Sequence, residues 1–191
     1  MTFSRKPYIG ALTALLCSLS FAVSAQKPAG GVPVPMVSGP IPVTPASHPF
    51  LASDRNLVPL DLAKAGYVEE EFLVSGNASV YDWQADGSVT VKTPNAPYAT
   101  RILVRRPTSA SRFSGNVIVE ILHSARRFDW PMIWGYSRNF FLENGDAWVG
   151  ITMPNAAAGL KAFNPSRYSA VSFVNPSSTP CAPNGTRSEK S

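Results

Sequence analysis

The chain has 191 residues, a formal net charge of +5, 45% hydrophobic residues, two cysteines and two histidines. That length suits one domain, at about 100 to 200 residues per domain. The positive charge is scattered and forms no basic stripe, which argues against a nucleic-acid partner. Two lone histidines and two distant cysteines leave no Cys/His metal cluster.

The chain opens MTFSRKPYIGALTALLCSLSFAVSAQ, with Arg5 and Lys6 ahead of an apolar run that ends at Val23-Ser24-Ala25. A basic start, an apolar stretch and a small-x-small end mark residues 1–25 as an export signal. The run is too short and interrupted for a membrane span of about 20 residues, so no stable membrane insertion is expected after cleavage. Leu16 before Cys17 argues against lipoprotein processing. Without residues 1–25 the chain keeps 166 residues and a charge of +3, since Arg5 and Lys6 leave with the signal. Cys181 is then the lone cysteine, and the expected location is periplasmic or extracellular.

Residues 26–58 are expected to form an extended arm, because prolines through Lys27–Pro49 remove donors and restrict neighbouring residues to extended angles. Its Val32, Val34, Met36, Ile41 and Val43 predict that the arm packs on the domain. The domain is expected over residues 59–176. Asp61–Ala65 predicts a short turn stopped by Gly66, and Tyr67–Val74 (YVEEEFLV) a first strand. Ser75–Trp83 mixes turn residues with alternation, Asp86-Gly87 signals a hairpin, and Ser88–Lys92 and Tyr98–Arg105 read as further strands. Together they predict an N-terminal antiparallel β layer. Glu69, Glu70 and Glu71 read as a solvated segment, with Glu70 the one that would alternate inward.

At Asn116 the pattern changes. Val117–Leu122 is a β-branched apolar run of the kind buried on both faces of a sheet. Pro131–Asn144 carries Ile133, Trp134, Ser137, Phe140 and Phe141 at helical spacing and is followed by Gly145, a C-terminal cap. Ala147–Met153 (AWVGITM) is again a buried-type strand, which completes a βαβ unit with a parallel pair. Ala156–Lys161 predicts one helical turn, and residues 177–191 lack any apolar period and read as a disordered tail.

Three constellations are candidates for chemistry. Gly135-Tyr136-Ser137-Arg138-Asn139 nearly matches a G-x-S-x-G nucleophile elbow, but that motif needs a strand before the turn, and Trp130-Pro131-Met132 is a helix start. Ser137 therefore reads as an ordinary helix residue. A serine–acid–histidine order cannot be completed, because His48 lies in the arm and no histidine follows His123. His123-Ser124 with Arg126 and Arg127 sits at the carboxyl end of a predicted strand, where open α/β sheets bind ligands. It reads either as an oxyanion loop with arginines near an anionic group or as a plain polar loop. Trp130, Trp134 and Trp148 read as core residues, with a pocket lining as the alternative.

The segment VIVEILHSARRFDWPMIWGYSRNFFLENGDAWVGITMP, followed by LKAFNPSRYSAVSF, resembles a family of exported α/β-hydrolase-domain proteins of largely unassigned substrate. The matching positions are Glu120, Asp129, Trp130, Gly145 to Ile151, Lys161 and Asn164 to Tyr168, with Asn164 where the family more often has Asp. The resemblance spans Pro35 to Pro176 and implies an α/β fold: an incomplete α/β-hydrolase-like sheet with the antiparallel layer and the βαβ unit. It implies an esterase-like reaction on a small-molecule ester, with no cofactor and no metal. His123 and Ser124 become oxyanion-loop candidates, and Arg126, Arg127, Asp129 and Trp130 substrate-proximal candidates. The elbow serine, the acid and the catalytic histidine would come further along. The chain is thus expected to act as an N-terminal fragment with no catalytic residue and no turnover of its own. A secreted, non-catalytic ligand-binding or structural module is the alternative.

Overall fold

The structure, a computed structural model, describes residues 33–56, 58–124 and 129–174. The expected export signal, the tail after residue 176, Arg126 and Arg127 lie outside the described residues. One five-stranded sheet organises the rest: β1 (Met36–Ser38), β2 (Tyr67–Trp83), β3 (Val89–Pro107), β4 (Val117–Ile121) and β5 (Ala147–Ile151), in the order β1-β2-β3-β5-β4. Two helices accompany it, α1 (Met132–Asn144) and α2 (Ala157–Phe163).

The expected antiparallel strands and the expected βαβ unit are parts of one sheet. β3 joins β5 antiparallel, and β4 joins β5 parallel through Val117↔Ala147, Val119↔Val149 and Ile121↔Ile151. The short strands read between Tyr67 and Arg105 are two long ones of 17 and 19 residues, paired from Tyr67↔Pro107 to Trp83↔Val89. Turn-prone Ser75-Gly76-Asn77 stays extended because its backbone pairs with Tyr98, Pro97 and Ala99, and cross-strand pairing outweighs local preference. The Asp86-Gly87 signal holds: Gly87 sits at φ +82°, where a side chain would be strained, and Asp86 Oδ1 accepts the Ser88 N–H at 2.9 Å.

Strand alternation divides the side chains between two unlike faces. One face carries Tyr67, Leu103, Trp148 and Leu122, which bury against Leu62 and against Trp134 and Phe141 of α1. Further along, Leu73 packs on Ala156, Leu160, Tyr168 and Val171. The other face carries the cross-sheet rows Phe72–Ile102–Ile151–Ile121 and Val104–Val149–Val119. None of these seven residues is buried, and none joins either core cluster. The expectation that Val117–Leu122 is buried on both faces is therefore corrected. β4 is an edge strand with Val117, Val119 and Ile121 at 54%, 57% and 65% exposure. An apolar run reports that a strand can be covered twice, and α1 covers it once.

Two further details position the site. Pro131 gives α1 no side-chain cap. Glu120, next to the end of β4, instead accepts the Ile133 and Trp134 N–H groups at 2.9 and 3.0 Å and the Trp148 indole N–H at 2.8 Å. A carboxylate there satisfies orphan helix donors and complements the positive end of the dipole. The helix ends on Gly145 at φ +75°, where a Cβ would also collide with the Arg112 carbonyl, so glycine is required twice over. The arm is held differently from expectation. β1 pairs with β2 through backbone while Val34, Met36, Val37 and Val43 remain exposed. Among the described residues no helix is long and apolar enough to cross a membrane.

Candidate functional site

The site is built where β4 and β5 end together. Leu122 is buried and donates its N–H to the Ile151 carbonyl, after which the chain turns out of the sheet. His123 and Trp130 then face one another in an antiparallel bridge, each donating its N–H to the other's carbonyl at 3.0 Å. That bridge ties His123 to Trp130. It also commits the His123 and Trp130 amides, so an anion at this strand end would draw on Ser124 or on the residues after it for backbone donors. The His123 side chain is exposed and Ser124 is half-buried.

Asp129 anchors the same segment from inside. It is 1% exposed, and its Oδ2 accepts the Thr152 hydroxyl at 2.6 Å, just past the end of β5. The Met153 backbone also bonds to it, and Arg101 Nη2 stands 3.8 Å from Oδ2. Burial pushes the Asp129 carboxyl above its ordinary value, and Arg101 and the hydrogen bonds oppose that only in part.

Behind Asp129 lies a buried charge network. Glu71 takes Arg101 Nε at 3.0 Å on Oε1 and Arg167 Nε at 2.6 Å on Oε2, and Tyr168 donates its hydroxyl to Oε1 at 2.8 Å. Two arginines and two carboxylates face one another there, and that pairing offsets the cost of burying them. The Tyr168 hydroxyl, pushed up to about 12 chiefly by burial, accepts the Phe50 N–H, while Arg101 donates to the Phe50 carbonyl. Arg167 reaches the Pro42 carbonyl at 2.7 Å and Ser47 Oγ at 3.1 Å. One network therefore ties the N-terminal arm, β2, β3 and the Asp129 segment together. A second pair, Arg105–Glu69 at 2.7 Å, has its guanidinium 4.5 Å from the Trp134 ring and 4.8 Å from Trp148.

The structure brings His123, Ser124, Asp129 and Trp130 together at one strand end and gives them different surroundings. Trp130 is 39% exposed, whereas Trp134 and Trp148 are core. Asp129 faces Thr152 and Arg101 in the interior. Ser137 sits within α1, away from any strand-to-helix turn, in agreement with its reading as a helix residue. His48 Nδ1 lies 3.1 Å from the Pro49 carbonyl and its ring packs edge-on to Phe163. Among the described residues no serine hydroxyl is hydrogen-bonded to a histidine.

The inward glutamate is a correction. Glu71 is buried and Glu69 pairs with buried Arg105, whereas Glu70 lies on the open face beside Arg106. Tyr67 fixes that parity by burying its ring and donating its hydroxyl to the Phe141 carbonyl at 2.8 Å. The residues missed were Glu71, Arg101, Arg105 and Thr152. Their signal was available: Glu69 and Glu71 alternate on one strand and Arg101 and Arg105 on the next, opposite charges on the face that also carries Tyr67 and Leu103.

A family model described as alpha/beta hydrolase domain matches residues 37–186. No curated protein and no solved structure matches the chain. The matched range takes in all of the sheet but Met36, both helices and the strand end at His123, and on that match the chain belongs to the α/β-hydrolase domain family.

Proposed function

We propose that this chain supplies the oxyanion side of an esterase-like site and not its nucleophile, within the hydrolase-like function that the family supports. In the proposed reaction a serine attacks the carbonyl carbon of a small ester, and a histidine takes the serine proton and returns it to the leaving alcohol. Backbone donors from Ser124 onward face the oxygen on which negative charge develops. The observation that carries this reading is at the end of β4: the His123–Trp130 bridge, with Asp129 bonded to Thr152, stands at the carboxyl ends of a parallel pair.

Within this reading Asp129 positions the segment, Trp130 and the arginines Arg126 and Arg127 flank the substrate, and Arg5, Lys6 and the apolar run before Ala25 direct export. No cofactor or metal takes part. The test is hydrolysis of p-nitrophenyl acetate and butyrate by the purified chain. The expected rate does not exceed that of buffer. A rate proportional to protein and abolished by a fluorophosphonate would overturn the proposal.

A further inference from the structure

The hairpin of β2 and β3 outruns the rest of the sheet. β5 pairs with β3 only between Ile102 and Arg105, and the Ile151 end of β5 lies at Ile102. Beyond the Ala99–Ser172 bridge the hairpin continues past the carboxyl ends of the parallel pair to its turn at Asp86-Gly87, and at about 3.3 Å per residue the steps from Ala99 to Val89 carry it about 30 Å. The outer part of this arm has two unlike sides. Tyr81 stands opposite Val91 and Trp83 opposite Val89, and alternation puts these four on one side. Asp82 and Thr90, opposite one another between those pairs, fall on the other. There Lys92 pairs with Asp82 at 3.7 Å, and the Gln84 amide donates to the Thr90 hydroxyl at 2.7 Å. The polar groups are thus engaged within the hairpin, whereas Tyr81, Trp83, Val89 and Val91 are 59%, 76%, 48% and 52% exposed.

We propose that the apolar side of this tip docks on a lipid surface, laying Trp83 and Tyr81 into the boundary between headgroups and acyl chains. Trp and Tyr carry an apolar body with one polar tip, and both concentrate at that boundary. A protein interface of standard size takes about 20 to 30 residues a side, and the tip offers four side chains; adsorption to lipid accumulates side chain by side chain and needs no matching partner surface. A sugar platform needs hydrogen-bonding groups beside the rings, and here the cross-strand neighbours of both rings are valines. Charge selects the kind of lipid. Lys92 is offset by Asp82, and Asp86 at the turn accepts the Ser88 N–H, so the tip has no surplus positive charge and fits zwitterionic headgroups better than anionic ones.

The inference does not depend on the esterase reading, and the two fail separately, one by lipid docking and the other by turnover. The experiment is hydrogen–deuterium exchange with peptide-level mass analysis on the full chain, with and without phosphatidylcholine vesicles. Vesicles should slow exchange across residues 80–92 at least about fivefold and leave α1 unchanged, and high salt should not reverse this, because no ion pair drives it. Trp83→Ser and Tyr81→Ser should each reduce that protection while keeping the native circular dichroism, since both side chains are exposed. Tyr136→Ser, which removes an aromatic ring 86% exposed on α1, should keep it. Exchange over 80–92 indifferent to vesicles, or protection that survives both tip variants, would overturn the proposal. So would protection that needs phosphatidylglycerol and vanishes in salt, or protection that grows with protein concentration in the absence of vesicles, the mark of a second copy.

Discussion

The two faces of one sheet obey different rules. On the α1 side, alternate positions of β2 and β3 hold Glu69, Glu71, Arg101 and Arg105, with apolar Tyr67 and Leu103 on the same face, and nearly all are buried. On the open side the same strands present Phe72, Ile102 and Val104, none of them buried. Charged side chains are thus inside beside the apolar core, while a second set of apolar ones stays accessible, which hydropathy alone does not suggest. Burial here follows where α1, α2 and the arm can reach, and the interior carboxylates are tolerated because Glu69, Glu71 and Asp129 each meet an arginine while Glu120 accepts three N–H groups.

If that contrast is right, the largest loss of stability comes from breaking the buried network. Glu71→Ala leaves Arg101 and Arg167 without their shared carboxylate and should cost about 3 to 5 kcal/mol, read as a fall in the denaturation midpoint or as loss of soluble protein. Next comes the helix anchor. Glu120→Ala strands two helix N–H groups and the Trp148 indole, for a loss of about 2 to 3 kcal/mol measured by urea unfolding.

Asp129 sharpens the contrast through pH. Its carboxyl is raised in the folded state, so the fold holds this proton more tightly than the unfolded chain does. Its favourable contribution is complete below the ordinary value of 3.8 and is lost as pH rises through the folded-state value. Asp129→Asn keeps an acceptor for Thr152 and has no proton to lose. The variant should flatten the stability profile just above pH 3.8, measured by thermal unfolding across that window; an unchanged profile would remove Asp129 from the account. The smallest effect belongs to the open face, where Val119→Thr should stay within about 0.5 kcal/mol of the native chain in stability.

Much of this architecture is legible in the residues themselves. AWVGITM reads as a strand and is one, Pro131–Asn144 reads as a helix ended by Gly145, and the Asp86-Gly87 hairpin is where its residues place it. What local pattern cannot report is who the neighbour is. Ser75–Trp83 reads as turn residues mixed with alternation because nothing in it reveals β3 alongside, and Val117–Leu122 reads as doubly buried because β-branched runs do not count layers. The candidate site divides in the same way. His123 and Ser124 stand out at a strand end, whereas the Glu71–Arg101–Arg167–Asp129 network joins positions nearly a hundred residues apart through pairings that only the folded sheet creates.

The central claim is that this hydrolase-family chain holds the oxyanion side of a site without the nucleophile. Its most direct test is intact-mass analysis with peptide mapping after incubation with a fluorophosphonate. The account predicts an unmodified chain, with Ser124 and Ser137 both free of adduct. A single stoichiometric phosphonyl adduct on any serine of the native protein, lost on denaturation before labelling, would contradict it.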